Sequence, residues 1–546
     1  GAGMLAVTEP LRGHLATLVG RFTQAVGGRH LGFEALDDNT YRAAVKNVFG
    51  QDLLPDFDLE NTGFLLIFGA DFLSTWVSPT RWNRGYGQFR HGEGRERGTF
   101  YHVDPRFSMT AANADRWIPI RPGWEGHLAL SLAYVIISEG LQAANADVGA
   151  LTGGHGAAAL HAFRPEAIAD NIFLAETIGG QARVDTIRSL AWEFAGARPG
   201  LAIGGGSAGA HSNGLFNLEA IYALNYLVGS VGTKGGIRFN PGSPLDEAPA
   251  VGQAATLAQW KTEAGNLRNG STKLMLLHQA DPVHGLPASV GFKEALTGAG
   301  DLFIVSFSPF LDETSIMADL VLPDRVYLED WGADIPEPGP GYEVVGFQQP
   351  VVNPLHELDP RSFPDLLLNM AQELGKEAGL PWTNYQQMLR DSSDTLFALK
   401  RGSIEATSSG EFWTKLLQRG GWWDEGTAGP GAVKPKRGLL SGIADKAAEP
   451  RFPGKGSFYL TPFAHNTLLD GRHAHLPWLQ GTPDPLSTIA WQTWVEISDE
   501  DAKGLNVKEG DIVRVESSAG SIRAMVYPTP AVPPGTVSVP VGQGRR

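Results

Sequence analysis

Short unbroken apolar runs alternate with stretches of helical periodicity over much of the chain. Phe64–Phe68 is an apolar run ending in Gly69-Ala70-Asp71, the pattern of a buried strand entering a turn. Phe100–Val103 predicts the next strand, followed by Asp104-Pro105-Arg106. After Arg121-Pro122-Gly123, the segment Glu125–Leu141 carries apolar residues at helical spacing. Helices are then expected over Val184–Phe194, Asn213–Val228 and Val290–Leu296, and strands over Leu201–Ile203, Lys273–Leu277 and Leu302–Phe307. Alternation of this kind favours parallel sheets covered by helices on both faces.

From residue 333 to 455 the pattern loosens and Gly, Pro and Trp accumulate. Phe363–Leu374 fits an amphipathic helix, and Gly426–Pro453 reads as an exposed connection. The last segment has short β-prone runs at Val495–Ile497, Ile512–Val515, Ile522–Val526 and Val537–Val539, separated by turn signals, as in a small barrel. The expected divisions are residues 1–150 and 151–332 as two α/β domains, 333–455 as a connecting region and 456–546 as a β-barrel. No repeat with a period of 20–50 residues is visible.

Composition narrows the chemistry. The 44 Lys and Arg against 59 Asp and Glu leave a formal charge of −15, and no basic stripe is available to neutralise nucleic-acid phosphates. The mostly apolar run Leu128–Ile137 falls short of the roughly 20 residues that span a bilayer, and Gly1–Pro10 lacks the features of a signal peptide. The opening Gly-Ala-Gly-Met suggests a chain without its natural start. Cysteine is absent, which removes thiolate nucleophiles, disulfides and any Fe–S cluster ligated by cysteines of this segment.

Several constellations invite a ligand. Gly204-Gly205-Gly206-Ser207-Ala208-Gly209 fits G-x-G-x-x-G between a strand and a helix. It reads as a tight turn or as a phosphate cradle; the acid expected about 20 residues on in an NAD site is missing. Asp104, Arg106, Thr110, Asp115, Trp117 and Arg121-Pro122-Gly123 follow a strand, where open α/β sheets bind ligands. Asp104 and Asp115 suit ribose or purine N–H donors, or equally a structural Asp–Arg network. Asp312-Glu313-Thr314 and Asp319 follow a later strand, suited to acid–base work or to capping a short helix. His473 and His475, two apart as on one strand face, with His465 nearby, read as metal ligands or as hydrogen-bonded loop histidines.

Taken in order, these stretches resemble the molybdopterin oxidoreductase superfamily, the dimethyl sulfoxide reductase type. The resemblance is carried by "VDPRFSMTAANADRWIPIRPG", "NGLFNLEAIYALNYLVGSVGTKGG", "DETSIMADLVLPDRVYLEDWG" and "TPFAHNTLLDGRHAHLPWLQGTPDP", and covers essentially the whole chain. It implies two pseudo-symmetric α/β domains holding two molybdopterin guanine dinucleotides with Mo or W, closed by a double-psi β-barrel, and a missing N-terminal Fe–S domain. On this resemblance Gly69, Asp71, Asp104, Arg106, Thr110, Asp115, Arg121 and Gly123 would meet one dinucleotide. Gly204, Gly205, Gly206, Ser207, His211, Asn213 and Gly214 would line the inner pterin region. Asp281, Pro282, Asp312, Glu313, Thr314 and Asp319 would meet the second dinucleotide, and His465, Asn466 and Ser487 would lie near the pterins.

The segment that would ligate the metal, around Glu34–Arg42, has no cysteine, so Asp37, Asp38 and Thr40 are the oxygen candidates. Asn39–Gly50 and Gly69–Trp76 also resemble the molybdopterin-like subunit of alternative complex III, which uses the fold without the cofactor. Either way the resemblance implies a respiratory quinol-linked complex with a ferredoxin-like Fe–S subunit and a membrane-embedded quinone-binding subunit. It also implies placement in the periplasm or on the outer face of the cytoplasmic membrane.

Overall fold

The computed structural model describes residues 3–91, 94, 96–174, 179–245, 252–376 and 379–544. The chain divides into two compact units, each discontinuous in sequence. Unit 1 takes Gly1–Asn39 and Asn240–Gly429; unit 2 takes Thr40–Phe239 and Pro430–Gly544.

The α/β strands are, in chain order, β1 Met4–Thr8, β2 Arg29–Gly32, β3 Asp56–Phe57, β4 Phe64–Phe68, β5 Thr99–Val103, β6 Arg116–Ile118, β7 Gly200–Gly204, β8 Ile237–Arg238, β9 Leu274–His278, β10 Phe303–Phe307 and β11 Leu320–Leu322. Unit 1 holds an all-parallel sheet in the order β11-β10-β9-β1-β2, and unit 2 a parallel sheet in the order β6-β5-β4-β7. Strands β1, β4, β9 and β10 are near-continuous apolar runs, as in parallel sheets covered by helices on both faces. Every residue of β4 is buried, and the helices Glu125–Ser138 and Gly214–Leu227 that pack on this unit are apolar nearly all round. Among the described residues no helix is long and apolar enough to cross a membrane.

The region from 333 onward is more ordered than its composition predicts. β12 Gly332–Asp334, β13 Glu343–Gln348 and β14 Gly421–Asp424 form an antiparallel sheet, and helices Phe363–Glu373, Tyr385–Ala398 and Ser409–Arg419 share a core with Leu18, Val19 and Phe22. The connection expected over Gly426–Pro453 contains the helix Leu439–Asp445, which buries Leu440 and Ile443 in the core of unit 2.

The C-terminal β module has β15 Tyr459–Ala464, β16 Trp494–Ile497, β17 Ile512–Ser517, β18 Gly520–Pro528 and β19 Thr536–Val541, ordered β15-β19-β16-β18-β17. Two pairs are parallel, β15 with β19 and β16 with β18, and the others antiparallel.

Candidate functional site

Ligands of open parallel sheets bind beyond the carboxyl ends of the strands. In unit 2 that edge brings together the turns after β4, β5 and β7. Gly69 donates its N–H to Val103 O, Gly205 N–H bonds Phe68 O, and Ser207 Oγ lies 3.5 Å from Asp104 Oδ1. Asp71 accepts the Thr110 N–H at 3.0 Å and its hydroxyl at 2.5 Å, while Thr110 Oγ1 accepts from Leu73 N. Asp104 is buried; its Oδ1 accepts the Arg106 N–H and its Oδ2 lies 3.2 Å from His102 Nε2.

The glycine loop is a packing device first. A Cβ on Gly205 would stand 2.4 Å from the Trp76 indole, one on Gly206 would stand 2.3 Å from Gly69 O, and Gly204 rests on Leu218 and Ile221. Gly214 opens the following helix so close to Gly209 O that a side chain has no room. The tight-turn alternative is therefore the one whose contacts are seen.

Arg106 is buried and committed. Its Nε and Nη2 meet the two carboxylate oxygens of Glu496 at 2.6 and 2.7 Å, its guanidinium lies 3.5 Å from the Phe463 ring centroid, and Trp494 Nε1 supports Glu496. Burial disfavours the charge on Arg106, yet Glu496 holds its pKa above the ordinary value. This pair ties the β5 turn to β16. Asn466 is bonded to Ser74 and donates to Asp484 at 3.0 Å, and Ser487 closes on Asp484 through N–H and Oγ. His465 Nδ1 accepts the N–H groups of Thr467 and Leu468, and burial lowers its pKa against the pull of Asp484.

Deeper in the same unit a second group collects around the Gly123 turn. Asn213 Nδ2 donates to Gly123 O and Ala448 O, Asn217 bridges Gly123 O, Ala208 O and Glu125 Oε2, and Pro450 lies against Gly123. Glu125 Oε1, Asn213 Oδ1, His211 Nε2 and Arg121 Nε are buried without a hydrogen-bond partner among the described residues. Burial pushes the Glu125 carboxyl up to about 8, and lowers His211 despite the nearby Asp104. Glu125 was not singled out from sequence. The signal was an acid at the first turn of an otherwise apolar helix, directly after Arg121-Pro122-Gly123.

Asp115 is elsewhere. It precedes β6, and both its N–H and its carboxylate bond Phe100, near the start of β5, at the opposite end of the sheet from Asp104. Arg90 holds it bidentately at 2.6 and 2.9 Å, and Arg97 adds a third contact. Burial would raise its pKa, but Arg90, the Phe100 N–H and Arg97 together keep it low. Of the two readings of Asp115, the structural Asp–Arg network is the one whose bonds are seen. Replacing it with Ala is expected to cost about 2 kcal/mol in a urea titration, since charged hydrogen bonds to buried neighbours are lost.

Unit 1 repeats the Asp–Thr clamp and the Asp–strand bonds of this arrangement. Asp281 accepts the Thr314 N–H at 3.1 Å and its hydroxyl at 2.6 Å, while Thr314 Oγ1 accepts from Val283 N. Asp319 bonds Ile304 through both N–H and carboxylate, as Asp115 bonds Phe100. The strings "DPRFSMTAANAD" and "SPFLDETSIMAD" occupy matching positions, as do "GADFL" and "QADPV". That longer-range repeat is the sequence signal for the Asp–Thr clamps.

The second copy lacks the ionic pair of the first, since Ser308 and Phe310 stand where Asp104 and Arg106 stand. Asp312 caps the short turn at Ser315 through Thr314 N and Ser315 N, so the capping alternative is the one seen there. Pro282 opens a short helix capped by Asp281, and Glu313 reaches His284 Nδ1 at 4.0 Å.

The metal candidates lie at and just before the start of the helix Asn39–Phe49. Asp37 is exposed and accepts the Asn39 N–H, Asp38 is partly exposed, and Thr40 lies in the first turn of the helix Asn39–Phe49. His473 and His475 lie in a turn rather than on a strand, with ring centroids 6.5 Å apart. Among the described residues no group of three or more His, Cys, Asp or Glu is arranged to hold a metal ion.

The profile of the molybdopterin oxidoreductase family matches residues 15–354, and that of the "Molydopterin dinucleotide binding domain" matches residues 482–546. The chain belongs to the molybdopterin oxidoreductase family. Among curated proteins it is similar to the menaquinone reductase molybdopterin-binding-like subunit of Nitratidesulfovibrio vulgaris, at 27% identity over 100% of this chain and 74% of that one. It is also similar to the arsenate respiratory reductase molybdopterin-containing subunit of Shewanella sp. (strain ANA-3), at 24% identity over 89% of this chain and 69% of that one. In fold it matches acetylene hydratase from Pelobacter acetylenicus with a TM-score of 0.74, 16% identity, and coverage of 99% of this chain and 79% of that one.

The family's dinucleotide is tested by the four unpartnered atoms around the Gly123 turn. Two acceptors, one donor and an imidazole nitrogen, all buried, suit the edge of a polar heterocycle. Unit 2 fits the group at this turn, and Arg106 is already paired within the chain.

Proposed function

We propose that the chain is the large subunit of a quinone-linked respiratory oxidoreductase that holds a molybdopterin guanine dinucleotide. The observation that carries it is the similarity, over the whole of this chain and 74% of the relative, to the menaquinone reductase subunit, joined to the polar atoms at the Gly123 turn that have no partner among the described residues. In this reading Glu125, Asn213, His211 and Arg121 hold the heterocycle, and Asp71, Thr110 and Asp104 shape the turns around it. Unit 1, with its matching Asp281–Thr314 clamp, takes the second dinucleotide. The bound group supplies two-electron redox chemistry at Mo or W, and the protein supplies binding, orientation and a water-poor surround. The partners are a ferredoxin-like Fe–S subunit and a quinone-binding membrane subunit, with the assembly on the periplasmic side of the membrane.

A second reading is a cofactor-free scaffold of an alternative complex III-like assembly. It is favoured by the Arg106–Glu496 pair and by the glycine loop packed on Trp76, which leave those groups bonded within the chain.

Affinity purification of the tagged chain from native membranes tests the assembly. The Fe–S and quinone-binding subunits are expected to co-purify and to oxidise or reduce a quinone; recovery of the chain alone from solubilised membranes would overturn it.

A further inference from the structure

The chain is acidic, with a formal charge of −15, but the balance has one local exception. Residues 430–455 carry Lys434, Lys436, Arg437, Lys446, Arg451 and Lys455 against only two acids, Asp445 and Glu449. All six cations are exposed, and none forms an ion pair among the described residues. Composition taken over the whole chain hides this row, and the sequence pattern there shows only an exposed connection.

The segment lies on unit 2 as a fastened strap. Leu440 and Ile443 are buried in the core of unit 2, and Val433, Leu439, Ala444 and Ala447 pack against it. Gly438 N–H bonds Ala150 O at 2.7 Å, Ala448 O accepts from Asn213 Nδ2 at 2.8 Å, and Arg451 N–H bonds Ser212 Oγ at 2.8 Å. Gly232 sits so close to Ala432 that a Cβ on it would stand 2.3 Å from the Ala432 N, which brings the exposed Lys234 alongside. The inward side of the strap is therefore apolar, and the cations are left on the outward side. Like charges gathered without partners repel one another, a cost that fastening a strap does not require.

We propose that this strap is the surface by which the chain docks on an anionic phospholipid bilayer. Four of the six cations are Lys, and Lys234 makes a fifth. Protein–protein interfaces favour Arg, whose planar fork matches a carboxylate, and are depleted in Lys. Lys is a hydrated point charge on a flexible stem, suited to a diffuse layer of headgroup phosphates. Phe452, between Arg451 and Lys455, adds a ring that is 39% exposed and held between His211 and Tyr459, at centroid distances of 5.9 and 4.9 Å. An aromatic edge among cations suits the depth of the headgroups. Each Lys or Arg at such a surface strengthens binding by about fivefold. The bilayer repels the rest of this acidic chain, so the strap also sets the orientation. Lipid binding needs neither a dinucleotide nor a quinone, and its failure would leave the redox reading standing.

The test is co-sedimentation of the full chain with vesicles of phosphatidylcholine, alone or mixed with phosphatidylglycerol, beside two triple variants of equal charge change. One, Lys434→Gln with Lys436→Gln and Arg437→Gln, strips the strap. The other, Lys261→Gln with Lys293→Gln and Arg390→Gln, strips exposed cations of unit 1. These side chains are exposed and form no ion pair among the described residues, so both variants are expected to melt with the parent chain. Expected are binding to the mixed vesicles only, and release as the screening length shrinks from about 10 Å at 0.1 M salt to about 3 Å at 1 M. The strap variant is expected to bind about a hundredfold more weakly, and the unit 1 variant to bind like the parent.

The absence of cysteine allows a second readout, a polarity-sensitive fluorophore on Gly454→Cys in the strap or on Gly300→Cys in unit 1, both open positions. Emission is expected to shift to the blue on mixed vesicles for the first and to stay for the second. Equal binding by the two triple variants, binding to phosphatidylcholine alone, an unshifted Gly454 label or no vesicle binding overturns the proposal. Strap-dependent binding of polyglutamate without binding to vesicles overturns it in favour of an acidic protein partner.

Discussion

Glu496→Ala is expected to lower the stability of unit 2 by about 3–5 kcal/mol, because it leaves the buried Arg106 charge without its partner. Arg106 and Glu496 have 8% and 3% of their side-chain surface exposed, so solvent does little to compensate. The bidentate geometry, the Trp494 N–H and the Phe463 ring under the guanidinium make this a closed network. Replacing both ends, Arg106→Met with Glu496→Leu, is expected to restore most of the loss, since no uncompensated charge then remains. Urea titration of the single and double variants gives the coupling energy directly. Recovery that fails in the double variant would mean the pair does more than satisfy its own charges.

Gly69→Ala carries the second large effect, about 2–4 kcal/mol. Gly69 sits at φ +68°, and a Cβ there would stand 2.3 Å from Ser207 Oγ and 2.6 Å from Ala208 N. Both the left-handed backbone and the packing against the glycine loop oppose the substitution. Its counterpart in unit 1 is Gln279, also at positive φ, where a side chain is accommodated. Gln279→Gly therefore serves as the comparison, expected to change stability by less than Gly69→Ala. A thermal melt of each variant checks the ordering.

The strands that feed the site were legible because parallel strands buried on both faces are near-unbroken apolar runs. Leu302–Phe307 and Lys273–Leu277 are displaced from the observed strands by a residue or less at either end. What pattern does not carry is partnership across long separations. Met4–Thr8 lies beside Leu274–His278, so it belongs with a sheet three of whose strands come far later. Nothing periodic in either run announces the other, because a parallel strand's sequence records burial and not its neighbour.

Carboxylates were harder. Asp71, Asp104 and Asp115 look alike in sequence, yet two stand at the carboxyl edge of the sheet and one at the opposite edge. Charge says that an acid wants donors; it does not say whether these are a ligand's or Arg90's. Glu125 was hidden for a related reason, since its significance lies in an oxygen left without a bond among the described residues.

The measurement that tests the account most directly is molybdenum and tungsten content by mass spectrometry of the native complex, with pterin fluorescence after acid release. The account predicts both metal and pterin in proportion to the chain. An intact complex that carries electrons to or from quinone, with neither metal nor pterin, would contradict it and make the chain a scaffold on a retained fold.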